Sequence, residues 1–477
     1  LFDTRDAAIG APTPVSGKLA NAGHTDAQVR FALAILLIIF SLNFLDRQIV
    51  TILAEDIRRD LHLDDWQIGV MSGLAFALFY TVLGIPIARM ADRGDRVTIL
   101  SVSLFVWSGF TALCGLATNF VTLLLARIGV GVGEAGCTPA AHSLIADWVR
   151  PERRASALAF YGLGIPIGSL LGMVMGGLIA DAWGWRAAFF VAGLPGVALA
   201  VATWILLRDP RRVTGFPARA TTAGTGFAAA VTALSRDRAY VLLAAGAAGA
   251  AFVGYGMGAF TPAYFIRFHG LSAGETGIWL GISSGVGGLI GTWLGGVLAD
   301  RFGARDPAMF LLVPAIGMTV ASVTFTPGLL AADWRWALVL IWIPGILNSL
   351  WYGPAFAVVQ RLVAPGMRAM AAAIMLFVIN IVGLGLGPLV LGAISDLMRE
   401  VRFEALAPGR GGFEAVCGRG VATAGEAVCG LARGQGLQAS LIVAVHLGLI
   451  SAFFFWRASR HLTHAAPREG GDKGETP

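Results

Sequence analysis

The chain has 477 residues, of which 56% are hydrophobic and only 13% charged, with a formal net charge of +6 and a mean hydropathy of +0.73. Soluble domains are about one-quarter charged, so this composition excludes a water-soluble globular protein. It also removes the nucleic-acid reading that a basic chain invites, because the excess positive charge follows topology and no aromatic and basic binding module is present.

A helix needs about 20 apolar residues to cross about 30 Å of hydrocarbon. Runs of that length predict twelve helices, at 30–53, 65–90, 97–117, 119–147, 154–180, 185–207, 238–266, 275–299, 307–327, 335–360, 368–395 and 438–458. The reading is an all-α polytopic membrane protein built as two six-helix bundles, 30–208 and 238–460. The polar residues 1–29 lack a cleavable signal pattern and are expected to form a disordered tail. Residues 209–237 read as an Arg-rich linker, 396–437 as a long loop, and 461–477 as a second tail. With both termini on one side, the segments facing that side hold 23 of the 35 Lys and Arg residues, and those facing the other hold 10. Positive charge concentrates on the cytoplasmic side, which places both termini there.

The first predicted helix carries "SLNFLDRQIV", with Asn43, Asp46 and Arg47 about two turns from its outer end. Charge inside a bilayer is costly, so it usually faces a cavity, pairs and carries function. The short loop after the second helix holds Asp92, Arg93 and Arg96 in "ADRGDR". A carboxylate there can sit against a helix N-terminus of the other half and pair with Arg, locking the cytoplasmic side closed.

The fourth helix contains "ARIGVGVGEAG", whose Gly131, Gly133 and Gly136 have the spacing of a dinucleotide-binding loop. That loop needs a strand before it and a turn at it, and neither is legible here. On a helix, Gly129, Gly133, Gly136 and Ala140 instead share one small face that admits a neighbouring helix. Arg127 and Glu134, seven residues apart, share the opposite face. Adjacent Asp46 and Arg47 diverge by about 100°, so pairing between helices is favoured: Asp46 with Arg127 and Arg47 with Glu134.

The second half has no clear mid-span charge. Its polar positions are Tyr255, Thr261, Ser283, Asn348, Tyr352 and Asn380. "GISSG" at 281–285 fits a nucleophile elbow but lies within an apolar run, not on a strained turn above a soluble sheet. The seven histidines show no metal-ligand spacing, so neither an enzyme nor a metal site is expected. Asp300 and Arg301 follow the eighth helix, and Cys417 and Cys429 lie in the long outer segment, where an oxidising periplasm favours a disulfide.

The chain repeats itself. "ADR" at 91–93 recurs at 299–301, 208 residues later, and Gly168, Gly172, Gly177 and Asp181 recur as Gly383, Gly387, Gly392 and Asp396, 215 residues later. Two parallel six-helix halves are the expected repeat of a rocking transporter.

"GGVLADRFGAR" at 295–305 resembles the loop signature of the major facilitator superfamily, as do "GWRAAFF" at 184–190 and "GLGIPIGSLLG" in the fifth helix. "LNFLDRQIV", "ARIGVGVGEAGCTPAAHSLIADW" and "PERRA" resemble the Spinster family within it, in a bacterial version. The resemblance implies the twelve-helix major facilitator fold in a bacterial inner membrane. It also implies a lipid cargo, sphingosine 1-phosphate-like or a lysophospholipid, and places Asp46, Arg47, Arg127 and Glu134 on the family's functional charged positions.

A physical route joins these residues. Arg47 or Arg127 can bind an anionic headgroup bidentately, and a desolvated carboxylate that loses its cation takes up a proton more readily. Glu134, with Asp46 beside it, is therefore the expected proton carrier. Arg47, Arg127, Asn43, Tyr255, Asn348, Tyr352 and Asn380 are the expected substrate contacts, with Trp351, Phe356 and Phe377 as possible walls for an acyl chain. Asp92, Arg93, Arg96, Asp300 and Arg301 are the expected gate. No cofactor beyond the coupling proton and no nucleic-acid partner is expected, and the protein is expected to act as a monomer with lipid as substrate and surroundings. Export of drugs or small organic anions is the alternative.

Overall fold

The computed structural model describes residues 25–214, 227–364, 367–418 and 426–462. Among these described residues, twelve helical spans are long and apolar enough to cross a membrane. They are α1 (Asp26–Leu61), α2 (Asp65–Ala91), α3 (Arg96–Cys114), α4 (Phe120–Trp148), α5 (Ser156–Trp183), α6 (Trp185–Arg212), α7 (Arg238–His269), α8 (Ala273–Gly303), α9 (Met309–Leu330), α10 (Trp334–Leu362), α11 (Met370–Leu406) and α12 (Ala427–Leu462). The end of the bundle where α1 begins and α12 finishes is here called proximal, and the opposite end distal.

Sequence chemistry sets several boundaries. Thr25 and Gln28 form a capping box at the start of α1, and Ser272 with Glu275 does the same for α8. The chain leaves α1 through His62, in the left-handed conformation with φ 54°. Glycine rows bring helices into contact: a Cβ on Gly168 would lie 2.1 Å from the Ser41 carbonyl oxygen, and one on Gly172 2.6 Å from that of Leu45. α5 therefore packs backbone to backbone on α1.

The repeat extends to helix irregularities. π turns interrupt α2 at Val70–Leu74 and α11 at Ile379–Leu386. α4 and α10 each open with a 15-residue segment, Phe120–Glu134 and Trp334–Asn348, and then break. Such interruptions cluster at functional depth in transporters.

The apolar core divides unevenly. One cluster joins both halves at the distal end, from Leu53 and Ile57 of α1 to Tyr264 and Phe265 of α7. Toward the proximal end the core separates into one cluster almost wholly from the first half and another from the second. Val82 and Met90 of proximal α2 are correspondingly exposed, at 48% and 60%. The bundle is closed distally and open proximally.

The segment expected as a loop from 396 to 437 is largely helical, since α11 runs on to Leu406 and α12 starts at Ala427. Its polar composition reads as loop, but Phe403, Phe413, Cys429 and Ala432 form a small apolar cluster that holds the extended helices together. Cys417 and Cys429 are disulfide-bonded there, with Cα atoms 5.8 Å apart. The expected tails and linker fall mainly on residues 1–24, 215–226 and 463–477, outside the described residues; Pro210–Thr214 and Phe227–Arg236 are short helices.

Candidate functional site: a charged cavity between the halves

Four charges meet at mid-depth in the first half, paired across helices as their spacing suggests. Arg127 of α4 donates from Nη1 to Asp46 Oδ2 at 3.0 Å, and Thr111 of α3 donates to the other Asp46 oxygen at 2.7 Å. Arg47 donates from Nε and Nη2 to Glu134 Oε2, at 3.1 and 2.8 Å. The pairs differ in setting: Asp46 and Arg127 are buried on both sides, whereas the Arg47 side chain retains 19% exposure toward the cavity and Glu134 none. Glu134 Oε1 is shielded from solvent and has no hydrogen-bond partner among the described residues.

The glycines of "ARIGVGVGEAG" place these charges. A Cβ on Gly133 would lie 2.5 Å from the Trp107 backbone nitrogen, one on Gly136 2.3 Å from Ser103 Oγ, and one on Gly129 2.4 Å from the Phe110 ring. All three neighbours belong to α3, so the small face lies against α3 and turns Arg127 and Glu134 inward. Gly131 faces α2 instead, against the Phe76 backbone.

Around Arg47 the rings of Phe44, Phe76 and Tyr80 stand with centroids 5.2, 4.7 and 4.9 Å from its guanidinium carbon. This aromatic surround stabilises a desolvated cation. A cavity of about 380 Å³ opens beside it, reaching Arg47, Arg127 and Gln48 on one side and Tyr255, Asn348 and Tyr352 on the other. A second, more apolar chamber of about 570 Å³ adjoins it and shares Gln48, Gly254, Thr292 and Asn348. Its walls include Met173, Met257, Leu280, Phe325 and Trp342.

The structure sorts the expected contacts. Tyr255, Asn348 and Tyr352 line the charged cavity, Thr261, Ser283 and Ser284 line the apolar chamber, and Trp351 lines the charged cavity instead. Asn43 is 3% exposed and lines neither space; Asn380 sits in the π turn of α11, also off both walls. Phe356 packs against the second-half core, and Phe377 lines neither chamber. Ser283 and Ser284 donate back to carbonyls of their own helix, as mid-helix serines do.

The Major Facilitator Superfamily model matches residues 36–388. The chain belongs to the major facilitator superfamily. Within it the chain is of the Spinster group: it superposes on the crystal structure of a bacterial homologue of the human lysosomal transporter Spinster, in an inward-facing, unoccupied conformation. The TM-score is 0.83 at 31% identity, covering 92% of this chain and 98% of that one. An MFS-type efflux pump of Mycolicibacterium smegmatis is 34% identical over 377 residues, 79% of this chain and 87% of the pump. The sphingosine-1-phosphate transporter SPNS2 of Danio rerio is 26% identical, over 75% of this chain and 74% of that protein. The fold is that of a major facilitator transporter.

In this transporter, among the described residues, Arg96, Asp300 and Arg301 of the expected proximal latch make no hydrogen bond or ion pair with the other half. Arg96 is fully buried and binds within its own half, to Asp209 at 2.5 and 2.9 Å, Asp147 at 2.6 Å and the Ser143 carbonyl at 2.9 Å. It ties α3 to α4 and α6. Asp300 and Arg301 are exposed at the proximal end of α8; the side chains of Asp92 and Arg93 lie outside the described residues. Toward that end the buried apolar core of the described residues is divided between the halves. Contacts between the halves gather distally, where Arg267 of α7 binds Asp65 of α2 at 2.6 and 2.7 Å and also Glu55 of α1.

Sequence reading missed Phe76 and Tyr80, which stack on each other at 5.3 Å. Their signal was the i, i+4 aromatic pair on α2, which reads equally as packing.

Proposed function

We propose that this transporter moves amphipathic anionic lipids, sphingosine 1-phosphate-like or lysophospholipid, coupled to protons, through a bacterial inner membrane with both termini cytoplasmic. One observation carries the reading: a cavity headed by Arg47 opens into a larger apolar chamber, so a phosphate and an acyl chain each have a matching wall. The likeness to the sphingosine-1-phosphate transporter SPNS2 supports it, and the distal disulfide agrees with an oxidising exterior.

In the scheme, the headgroup engages Arg47, whose guanidinium faces the cavity, and draws it from Glu134. Glu134 is then a buried carboxylate without its cation, with Oε1 free to take the proton. Asp46 and Arg127 stay paired and hold α1 against α4. A neutral carboxyl and an occupied guanidinium replace the ion pair, so proton and lipid occupy the site together.

The efflux-pump relative favours a second reading, export of drugs or small organic anions. Transport of sphingosine 1-phosphate, a lysophospholipid, and a panel of organic anions and cationic dyes into proteoliposomes separates the two. Saturable movement of the phospholipids with little movement of the panel is expected. The reverse pattern overturns the lipid assignment.

A further inference from the structure

The distal closure is built twice, and its copies follow the internal repeat. Near the end of α5, Asp181 accepts hydrogen bonds from Ser272 Oγ at 2.7 Å and from the Gly274 backbone at 2.9 Å, at the start of α8. In α11, Asp396 accepts from the Asp65 and Trp66 backbones at 3.1 and 2.9 Å, at the start of α2. Asp181 and Asp396 are the aspartates of the 215-residue repeat, while Trp66 and Gly274 are spaced by the 208 residues that separate the two ADR motifs. One turn earlier, a Cβ on Gly177 would lie 2.2 Å from the Ala273 carbonyl oxygen, and one on Gly392 the same distance from that of Asp65. Each half thus lends a carboxylate to the unsatisfied N–H groups that open a helix of the other half.

Arg267 adds an unsymmetrical bolt. Its guanidinium meets Asp65 in a two-bond fork and also reaches Glu55. Asp65 further accepts from Ser395 Oγ at 2.6 Å, and Glu55 is held by Arg58 and Arg59 at 2.8 Å each. Arg399 completes the seam with Asp64 at 2.9 Å. Arg267, Glu55 and Asp65 have side chains no more than 7% exposed.

We propose that Arg267, Asp181 and Asp396 form the distal gate of the transport cycle: these contacts between the halves must part for the distal end to open. This rests on the transporter fold and is independent of the cargo. A polar seam suits a gate because water repays the separated charges on opening, whereas an apolar seam of equal area resists wetting. Removing Arg267 leaves Asp65 buried without its cation in the closed state, and removing Asp181 or Asp396 leaves helix-opening N–H groups without their carboxylate, so each change biases the equilibrium toward open.

The test is a distance measurement by pulsed electron spin resonance in nanodiscs. Labels go on T118C in the α3–α4 turn and A332C in the α9–α10 turn, both exposed at the distal end, with Cys114 and Cys137 replaced by alanine. The parent should give mainly short distances. R267Q, and separately the isosteric D181N/D396N pair, should raise the long-distance fraction severalfold, with each single aspartate change giving part of the shift. R186Q is the control, because its 2.6 Å pair with Asp60 lies within the first half. Unchanged distances in both D181N/D396N and R267Q overturn the proposal, as does an equal shift in R186Q. If R267Q does not fold, the aspartate variants decide the matter alone.

Discussion

α4 and α10 are the same helix made twice with different chemistry. Each runs 15 residues and breaks, but the residue at the break is Glu134 in one and Asn348 in the other. Glu134 is buried against Arg47, whereas Asn348 lines the junction of the two chambers. The repeat therefore conserves backbone shape, which rocking requires, and confines charge to one half. Under the proposed function the first-half charges receive the headgroup and proton, and the apolar chamber, walled by both halves, receives the chain.

The sharpest break of this comparison removes a charge on the first-half side only. Asp46→Asn leaves the buried Arg127 without its carboxylate, and a buried partner lost in this way costs about 3–5 kcal/mol. A large fall in unfolding temperature is expected, with partial recovery in Asp46→Asn/Arg127→Gln; equal destabilisation in the double variant contradicts the pairing. Glu134→Gln should disturb stability less, because Arg47 retains access to the cavity, but should lower pH-gradient-driven transport by about tenfold or more, the scale of one lost charged partner. Adding Asn348→Glu to that variant should not restore transport, since among the described residues no arginine lines the cavity on the second-half side; recovery would mean that the halves are chemically interchangeable.

The smallest expected effect concerns two glycines at matching repeat positions. A Cβ on Gly131 would lie 2.9 Å from the Phe76 carbonyl oxygen, while one on Gly345 meets nothing within 4 Å. Gly131→Ala should destabilise by about 1–3 kcal/mol through overpacking, and Gly345→Ala should be neutral or slightly stabilising. Thermal unfolding of both in one detergent checks the contrast.

The parts legible in the sequence were those written in periodicity and in rare residues. Apolar length located the twelve spans, and the seven-residue spacing of Arg127 and Glu134 put both on the face that meets α1. The distal seam was hidden because Glu55, Asp65 and Arg267 lie near span ends, where charges read as ordinary water-facing termini. Asp181 and Asp396 were visible as a repeat, but nothing local tells that a carboxylate will cap a helix some 90 or 330 residues away. The π turns left no trace either, since Val70–Leu74 and Ile379–Leu386 read as unbroken apolar helix.

The proposed coupling joins lipid and proton at the Arg47–Glu134 pair. Its most direct test is proton uptake by purified protein in weakly buffered solution when a lysophospholipid is added. Wild type should take up protons in proportion to bound lipid, Asn348→Ala should do the same, and Glu134→Gln should bind lipid with no proton uptake. Undiminished uptake by Glu134→Gln would contradict the account.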